Sequence, residues 1–469
     1  MKTSFYTLAW RWHFYAGLFV APFMILLALT GIVYLFKPQL DPWMYRDLMQ
    51  VTPQAVTLSA DQLKLGLVAA YPNTTVSKYL PPESPERSAQ FVVQKDGRET
   101  NVFIDPYSGK VLGEQDAKRN LQAIARALHG EIMIGTVGDR LIELAAGWGI
   151  VLVVSGLYLW WPRGAGFAGV LWPRLASRGR LLWRDLHAVV GFWGALGLLL
   201  MLLSGMTWTG FWGNQFSGVW NRFPDALWNS VPKSDQLARS LNTAAVQTVP
   251  WAVENTPLPV SDEHAAHAAA ATDDMAGMDM PGAKKAPVAD TAQPNISLQQ
   301  VVDIATARHV QPGYSITLPT KADGVFTLAV FADDPRNDAT LHVDQYTGKV
   351  LADVRWQDYG LVARATELGV MLHEGKMYGL VNQLIVLGIC LLVLLSAVSG
   401  LVIWWKRRPV GGLGVPPLRH GLPAWKTGVA IMLALAVAFP LVGLSLVVVA
   451  VFDQLISRLA SRYGRPSAG

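Results

Sequence analysis

Five apolar stretches mark the chain, at Trp12–Phe36, Leu141–Trp161, Leu186–Trp212, Leu380–Trp405 and Thr427–Phe452. Each supplies the roughly 20 residues that a helix needs to cross a bilayer. The Pro and Gly inside them (Pro22, Gly149, Gly197 and Pro440) are tolerated in membrane helices. Elsewhere the pattern changes period. Gln90–Gln94 and Phe326–Phe331 read as strands. Ser59-Ala60-Asp61-Gln62 and Ser297-Leu298-Gln299-Gln300 open helices with a polar cap. The pattern predicts an α-helical membrane protein with about five spans, an internal duplication and two α+β modules. Its segments are a first helix over 1–36, a module over 37–128, a second helix over 129–162, a basic loop over 163–185 and a third helix over 186–212. A connector over 213–249, an insert over 250–294, a second module over 295–372, a fourth helix over 373–405, a basic loop over 406–426, a fifth helix over 427–452 and a tail over 453–469 complete it.

The duplication is explicit. Leu128-His129 leads to Ser155-Gly156-Leu157 and Trp160-Trp161-Pro162-Arg163, and Leu372-His373 leads to Ser399-Gly400-Leu401 and Trp404-Trp405-Lys406-Arg407. The His-to-Gly spacing is 27 residues in both. Trp12-His13 stands four residues before Gly17 and eighteen before Gly31, and Leu186-His187 repeats this with Gly191 and Gly205. Ile104-Asp105-Pro106-Tyr107-Ser108-Gly109-Lys110-Val111 and Val343-Asp344-Gln345-Tyr346-Thr347-Gly348-Lys349-Val350 are matching strand-turn-strand runs. Asp105 and Asp344 read as turn formers, with the glycines free to take positive φ.

Composition agrees with a membrane protein: 51% of residues are hydrophobic, 16% are charged and 18 are Trp. Arg163, Arg174, Arg178, Arg180 and Arg184 follow the second helix, and Lys406, Arg407, Arg408, Arg419 and Lys426 follow the fourth. Positive loops stay inside, so the N-terminus is expected in the cytoplasm and both modules outside. Five spans put the tail with Arg458, Arg462 and Arg465 outside too; otherwise the fifth helix re-enters or lies in the interface. The net charge of +5 then reflects topology and anionic-lipid contact, not nucleic-acid binding. Cys390 is the only cysteine, which excludes an intramolecular disulfide.

The strand-turn run Ile104–Gly113 and the membrane signature from Ser155-Gly156-Leu157 to Trp160-Trp161-Pro162-Arg163 resemble the PepSY-associated transmembrane family. The similarity covers most of 5–410. The family includes iron-regulated bacterial inner-membrane proteins and haem-carrying ferric-siderophore reductases. The resemblance therefore implies a haem-dependent metalloreductase in the inner membrane that reduces a periplasmic ferric siderophore or other chelate.

Topology sorts the histidines. His13 and His187 lie near inner helix ends, and His129 and His373 lie at the outer face before returning helices. Ligands of one metal must come from one side, so the pairs are His13 with His187 and His129 with His373, one residue from each repeat. Imidazole is a haem-iron ligand, and the expected cofactor is haem b, in two copies. The outer site could instead use one axial His and leave iron open. Gly17, Gly191, Gly130 and Gly375 would admit a macrocycle, and Arg11 and Arg184 would pair with propionates. Each histidine alone also reads as an ordinary interfacial polar residue. His309, His342 and His420 read as surface or packing residues. Electrons must come from an external quinol, flavin or partner reductase. Gly164-Ala165-Gly166-Phe167-Ala168-Gly169 follows a membrane helix, not a strand, and does not read as a dinucleotide site.

The insert holds His264, His267, Met275, Met278 and Met280. Its composition reads as a disordered spacer. Thioether and imidazole ligands also suit copper, which makes periplasmic copper binding or reduction an alternative function. A third reading is non-enzymatic: PepSY modules also occur in protease propeptides and regulators, and by that resemblance the outer modules would bind and restrain a protein partner.

Overall fold

The computed structural model describes residues 5–162, 168–220, 228, 231–242, 248–261, 296–408, 426–449 and 451. The chain forms two compact units, one from 1–33, 126–216 and 384–469, the other from 34–125 and 217–383.

The first unit is helical. Four helices are long and apolar enough to cross a membrane: Phe5–Leu35, Thr136–Trp160, Arg180–Met206 and Leu380–Arg407. The second and third begin five or six residues before their apolar stretches, because hydrogen bonding continues through polar residues back to Gly135 and Gly179, at φ +62° and +63°. The third ends at Met206, not Trp212. There Asp139 accepts from the Gly210 N–H at 3.1 Å, and Glu143 accepts from those of Phe211 and Trp212 at 3.0 and 3.1 Å. These carboxylates cap a separate short helix, Trp212–Trp220. Small residues bring the long helices close: a Cβ on Gly149 would stand 3.1 Å from Leu202, and one on Gly197 2.7 Å from Ile389.

The fifth apolar stretch is not a single helix. Lys426–Ala438 is followed by Pro440–Val449. Proline has no N–H to continue the ladder and its ring disfavours helix at the residue before it, so the chain bends at Phe439. Trp148 Nε1 donates to Ser445 Oγ at 3.1 Å and Trp212 Nε1 to the Ala438 carbonyl at 2.8 Å, which hold the segment against its neighbours.

The second unit is built on an antiparallel sheet. Its strands are β1 (Thr75–Leu80), β2 (Ala89–Lys95), β3 (Arg98–Ile104), β4 (Val111–Asp116), β7 (Ser315–Thr317), β8 (Val325–Val330), β9 (Ala339–Asp344) and β10 (Val350–Arg355); β5 (Lys233–Leu237) and β6 (Pro257–Pro259) pair separately. The order β10-β9-β8-β7-β1-β2-β3-β4 joins the two repeats into one eight-stranded sheet, through Lys78↔Thr317 and Tyr79↔Ile316. One core spans both repeats, with Leu63, Leu67 and Phe91 from the first and Val301, Phe326 and Leu341 from the second. The capped helices are Ala60–Ala70 and Leu298–Ala307, each with a capping box. They also cap each other: Asp61 accepts from Leu298 N–H at 2.9 Å, and Gln299 Oε1 accepts from Ala60 N–H at 2.8 Å.

Both predicted turns form. Asp105 accepts from Tyr107 N–H at 2.9 Å and Asp344 accepts from Tyr346 N–H at 2.9 Å, with Gly109 and Gly348 both at φ +72°. On the face of the sheet away from the helices the register aligns Asn101, Val92, Lys78, Thr317, Thr327 and His342 strand by strand, and Asn101, Lys78, Thr327 and His342 are buried there. His342 is fully buried there, its Nδ1 2.9 Å from Thr327 Oγ1 and its ring edge-on to Trp228. His309 closes its helix at φ +54°.

Candidate functional site

The long helices bring His13 and His187 together. His13 sits near the start of the first helix and His187 near the start of the third. Their ring centres are 6.3 Å apart, with the planes at 76°. Each ring rests on a glycine of another helix. A Cβ on Gly156 would stand 3.1 Å from His13 Cε1, and one on Gly400 3.3 Å from His187 Cε1. Each Nδ1 is also held. That of His13 lies 2.9 Å from Ser155 Oγ, and that of His187 lies 2.9 Å from the Ser396 carbonyl and 3.3 Å from Ser399 Oγ. The repeated Ser-Gly step at the end of the second and fourth helices is thus the seat of a histidine from the first and third.

Both histidines line a cavity of about 1140 Å³, larger than the ~300–1,000 Å³ usual for a small-molecule pocket. Gly17, Gly156, Gly191 and Gly400 leave room beside the rings, and Trp10, Leu157 and Trp404 are among its apolar walls. Among the described residues five cations, Arg180, Arg184, Lys406, Arg407 and Arg408, also line it, and no carboxylate does. Arg184 is anchored by Asp185, whose side chain is 1% exposed: Arg184 Nη2 lies 3.0 Å from Oδ1, and Arg174 binds both oxygens at 2.6 and 2.9 Å. The other predicted cation, Arg11, is not among the lining residues; its guanidinium lies 5.8 Å from the Tyr15 ring centre. Spacing did not single out Ser155, Ser399 or the other four lining cations, although the duplicated Ser-Gly and Lys/Arg runs contained them.

His129 belongs to the helical unit and is seated in the same manner at the far ends of the helices. Its Nδ1 lies 3.0 Å from Thr30 Oγ1, and its Cε1 would lie 3.5 Å from a Cβ on Gly31. His373 ends the helix Leu361–His373 in the sheet unit. Gly375 is a turn residue at φ +74°, where a Cβ would strike Leu35. Among the described residues, no group of three or more His, Cys, Asp or Glu side chains is arranged around a bare metal ion. His264, His267, Met275, Met278, Met280, His420 and most of the glycine-rich 164–169 run lie outside the described residues.

A family model for the PepSY-associated TM region matches residues 10–407. No curated protein matches the chain.

Proposed function

The chain belongs to the PepSY-associated TM family, and from that premise we propose that this multi-pass membrane protein is a haem-dependent reductase, passing electrons across the bacterial inner membrane to a ferric chelate. The observation that carries the reading is the pair His13 and His187. Their ring centres are 6.3 Å apart beside one cavity, so both imidazoles would serve one haem iron. A two-nitrogen donor set suits an iron whose other ligands come from a macrocycle.

When bound, haem b would supply one-electron transfer. The protein's own part is to bind, orient and seal. The glycines at 17, 156, 191 and 400 admit a planar group between the rings. Arg180, Arg184, Lys406, Arg407 and Arg408 offer charge-assisted bonds to its carboxylates. The same cations keep this end of the helices in the cytoplasm, where an external quinol, flavin or partner reductase would deliver electrons. His129, held by Thr30 at 3.0 Å, marks a second site toward the periplasmic side, with His373 its counterpart in the repeat. The ferric-siderophore substrate rests on the resemblance of the strand-turn and membrane motifs.

The test is a dithionite-minus-oxidised difference spectrum of protein purified after haem-replete expression, with His13→Ala and His187→Ala beside it. A Soret band that is lost in part in both variants supports the reading. Wild type without a Soret band overturns it. Reduction of a ferric chelate by the holoprotein, followed with a ferrous-iron dye, then tests the substrate class.

A further inference from the structure

Three histidines of the helical unit are seated so that the surroundings decide which ring nitrogen carries the proton. A serine or threonine hydroxyl has a single proton to donate. Ser155 directs its own to the Leu152 carbonyl at 3.3 Å, and His13 Nδ1 lies 2.9 Å from the same oxygen. Thr30 directs its own to the Leu26 carbonyl at 2.8 Å, and His129 Nδ1 lies 3.0 Å from that oxygen. With its proton on that carbonyl, each hydroxyl can only accept from the ring nitrogen beside it. His187 reaches the same state by another route. Its Nδ1 lies 2.9 Å from the Ser396 carbonyl, which can only accept; Ser399 donates to that carbonyl at 3.0 Å. A neutral imidazole with its proton on Nδ1 keeps its lone pair on Nε2.

We propose that Ser155, Thr30 and the Ser396 carbonyl are positioning groups that lock His13, His129 and His187 in the Nδ1–H form and present Nε2 as the ligand nitrogen. Gly156, Gly31 and Gly400 set the ring planes by their contact with each Cε1 edge. The proposal rests on the reading of these histidines as haem ligands. It contains an asymmetry. The lock on His13 is a side-chain hydroxyl that a substitution removes. The lock on His187 is a backbone carbonyl that remains when Ser399 is changed.

Full-length wild type, Ser155→Ala, Ser155→Thr and Ser399→Ala are compared by haem titration and by low-temperature EPR of the low-spin signal. Ser155→Ala is expected to weaken haem binding by about 10–100-fold, as loss of a partner behind a ligating histidine does, and to shift the signal. Ser155→Thr restores both, and Ser399→Ala is expected to lose clearly less affinity than Ser155→Ala, because the Ser396 carbonyl still holds His187 Nδ1. Equal losses in the two alanine variants, or none in Ser155→Ala, overturn the lock. Imidazole ¹⁵N shifts of the haem-depleted full chain give an independent reading. A protonated Nδ1 on His13 that is lost in Ser155→Ala supports the proposal, and a protonated Nε2 in wild type overturns it. If wild type binds no haem, the functional reading fails, and the ¹⁵N result still decides the lock.

Discussion

His13 Nδ1 lies 2.9 Å from Ser155 Oγ, across 142 residues of sequence. That contact reverses the order in which the repeated motif is met along the chain. The step Ser155-Gly156 follows His129 in sequence, but in space it seats His13. Thr30-Gly31, which follows His13 in sequence, seats His129. The first long helix therefore offers His13 to the second near one end and receives His129, from the helix Leu121–Glu131, near the other.

Gly156 is the first place to test this arrangement. A Cβ there would stand 3.1 Å from His13 Cε1, and the branched side chain of valine would push the ring off its seat. On the proposed reading, Gly156→Val is expected to lose most of the haem that His13 and His187 would hold, roughly tenfold or more in affinity. Haem per protein, measured by pyridine haemochrome, checks it. Gly388→Val is the control, since a Cβ at Gly388 meets nothing within 4 Å.

Asp185 anchors Arg174 and Arg184 while itself buried. Asp185→Asn removes the charge that both guanidinium groups face. Both arginines are partly exposed, so the cost is modest, about 1–3 kcal/mol. It is expected as a lower thermal midpoint in detergent and as weaker binding of carboxylate-bearing porphyrins, through a displaced Arg184.

Asp61 caps the helix of the other repeat. Asp61→Ala leaves the Leu298 and Gln299 N–H groups without their acceptor and is expected to cost about 1–2 kcal/mol. Gln299→Ala removes the reciprocal bond to Ala60. The double variant should cost less than the sum, because the two bonds share one contact. Denaturant unfolding of the three proteins measures the difference.

Burial pushes His342 down to about 4 from an ordinary 6.5. The unfolded chain then takes up this proton first as pH falls. Stability from the neutral ring is complete above pH ~6.5 and is lost progressively toward pH ~4, by about 3 kcal/mol. His342→Gln should remove that slope. Denaturant unfolding of wild type and variant across pH ~4–7, followed by circular dichroism, measures the difference.

Asp338 carries the opposite sign. Burial raises its carboxyl to about 8, against the pull of the Ala332 N–H and Lys376, and Oδ2 has no hydrogen-bond partner among the described residues. The folded state holds a proton that the unfolded chain releases near pH 4. Its contribution is complete below that and is lost as pH rises toward 8. Asp338→Asn is expected to remove the fall in stability between pH ~4 and ~8, so that the rise from His342 between pH ~4 and ~6.5 stands without the opposing slope.

Much of the fold was legible because local chemistry dictates it. The four long helices follow from runs of apolar residues that no other structure satisfies in lipid. The two turns follow from Asp105 and Asp344 with a glycine four residues on, and the helix starts follow from Ser59 and Ser297. The fifth apolar run was misread as one helix, since hydropathy does not register what Pro440 does to the ladder. The two modules were read as separate because no local signal says that β1 and β7 share an edge.

The candidate site divides in the same way. By itself the sequence determined which residues are duplicated, and so it singled out His13, His129, His187 and His373 along with the Ser-Gly and Lys/Arg runs. Only the tertiary structure decided that His13 and His187 face one cavity, that Ser155 and Ser396 hold their Nδ1 atoms, and that Arg184 with four further cations lines the same space while Arg11 does not. Periodicity is a property of neighbours along the chain. A hydrogen bond across 142 residues exists only after helices have packed, because the close approach permitted by Gly156 and Gly400 sets the ring within reach of its acceptor.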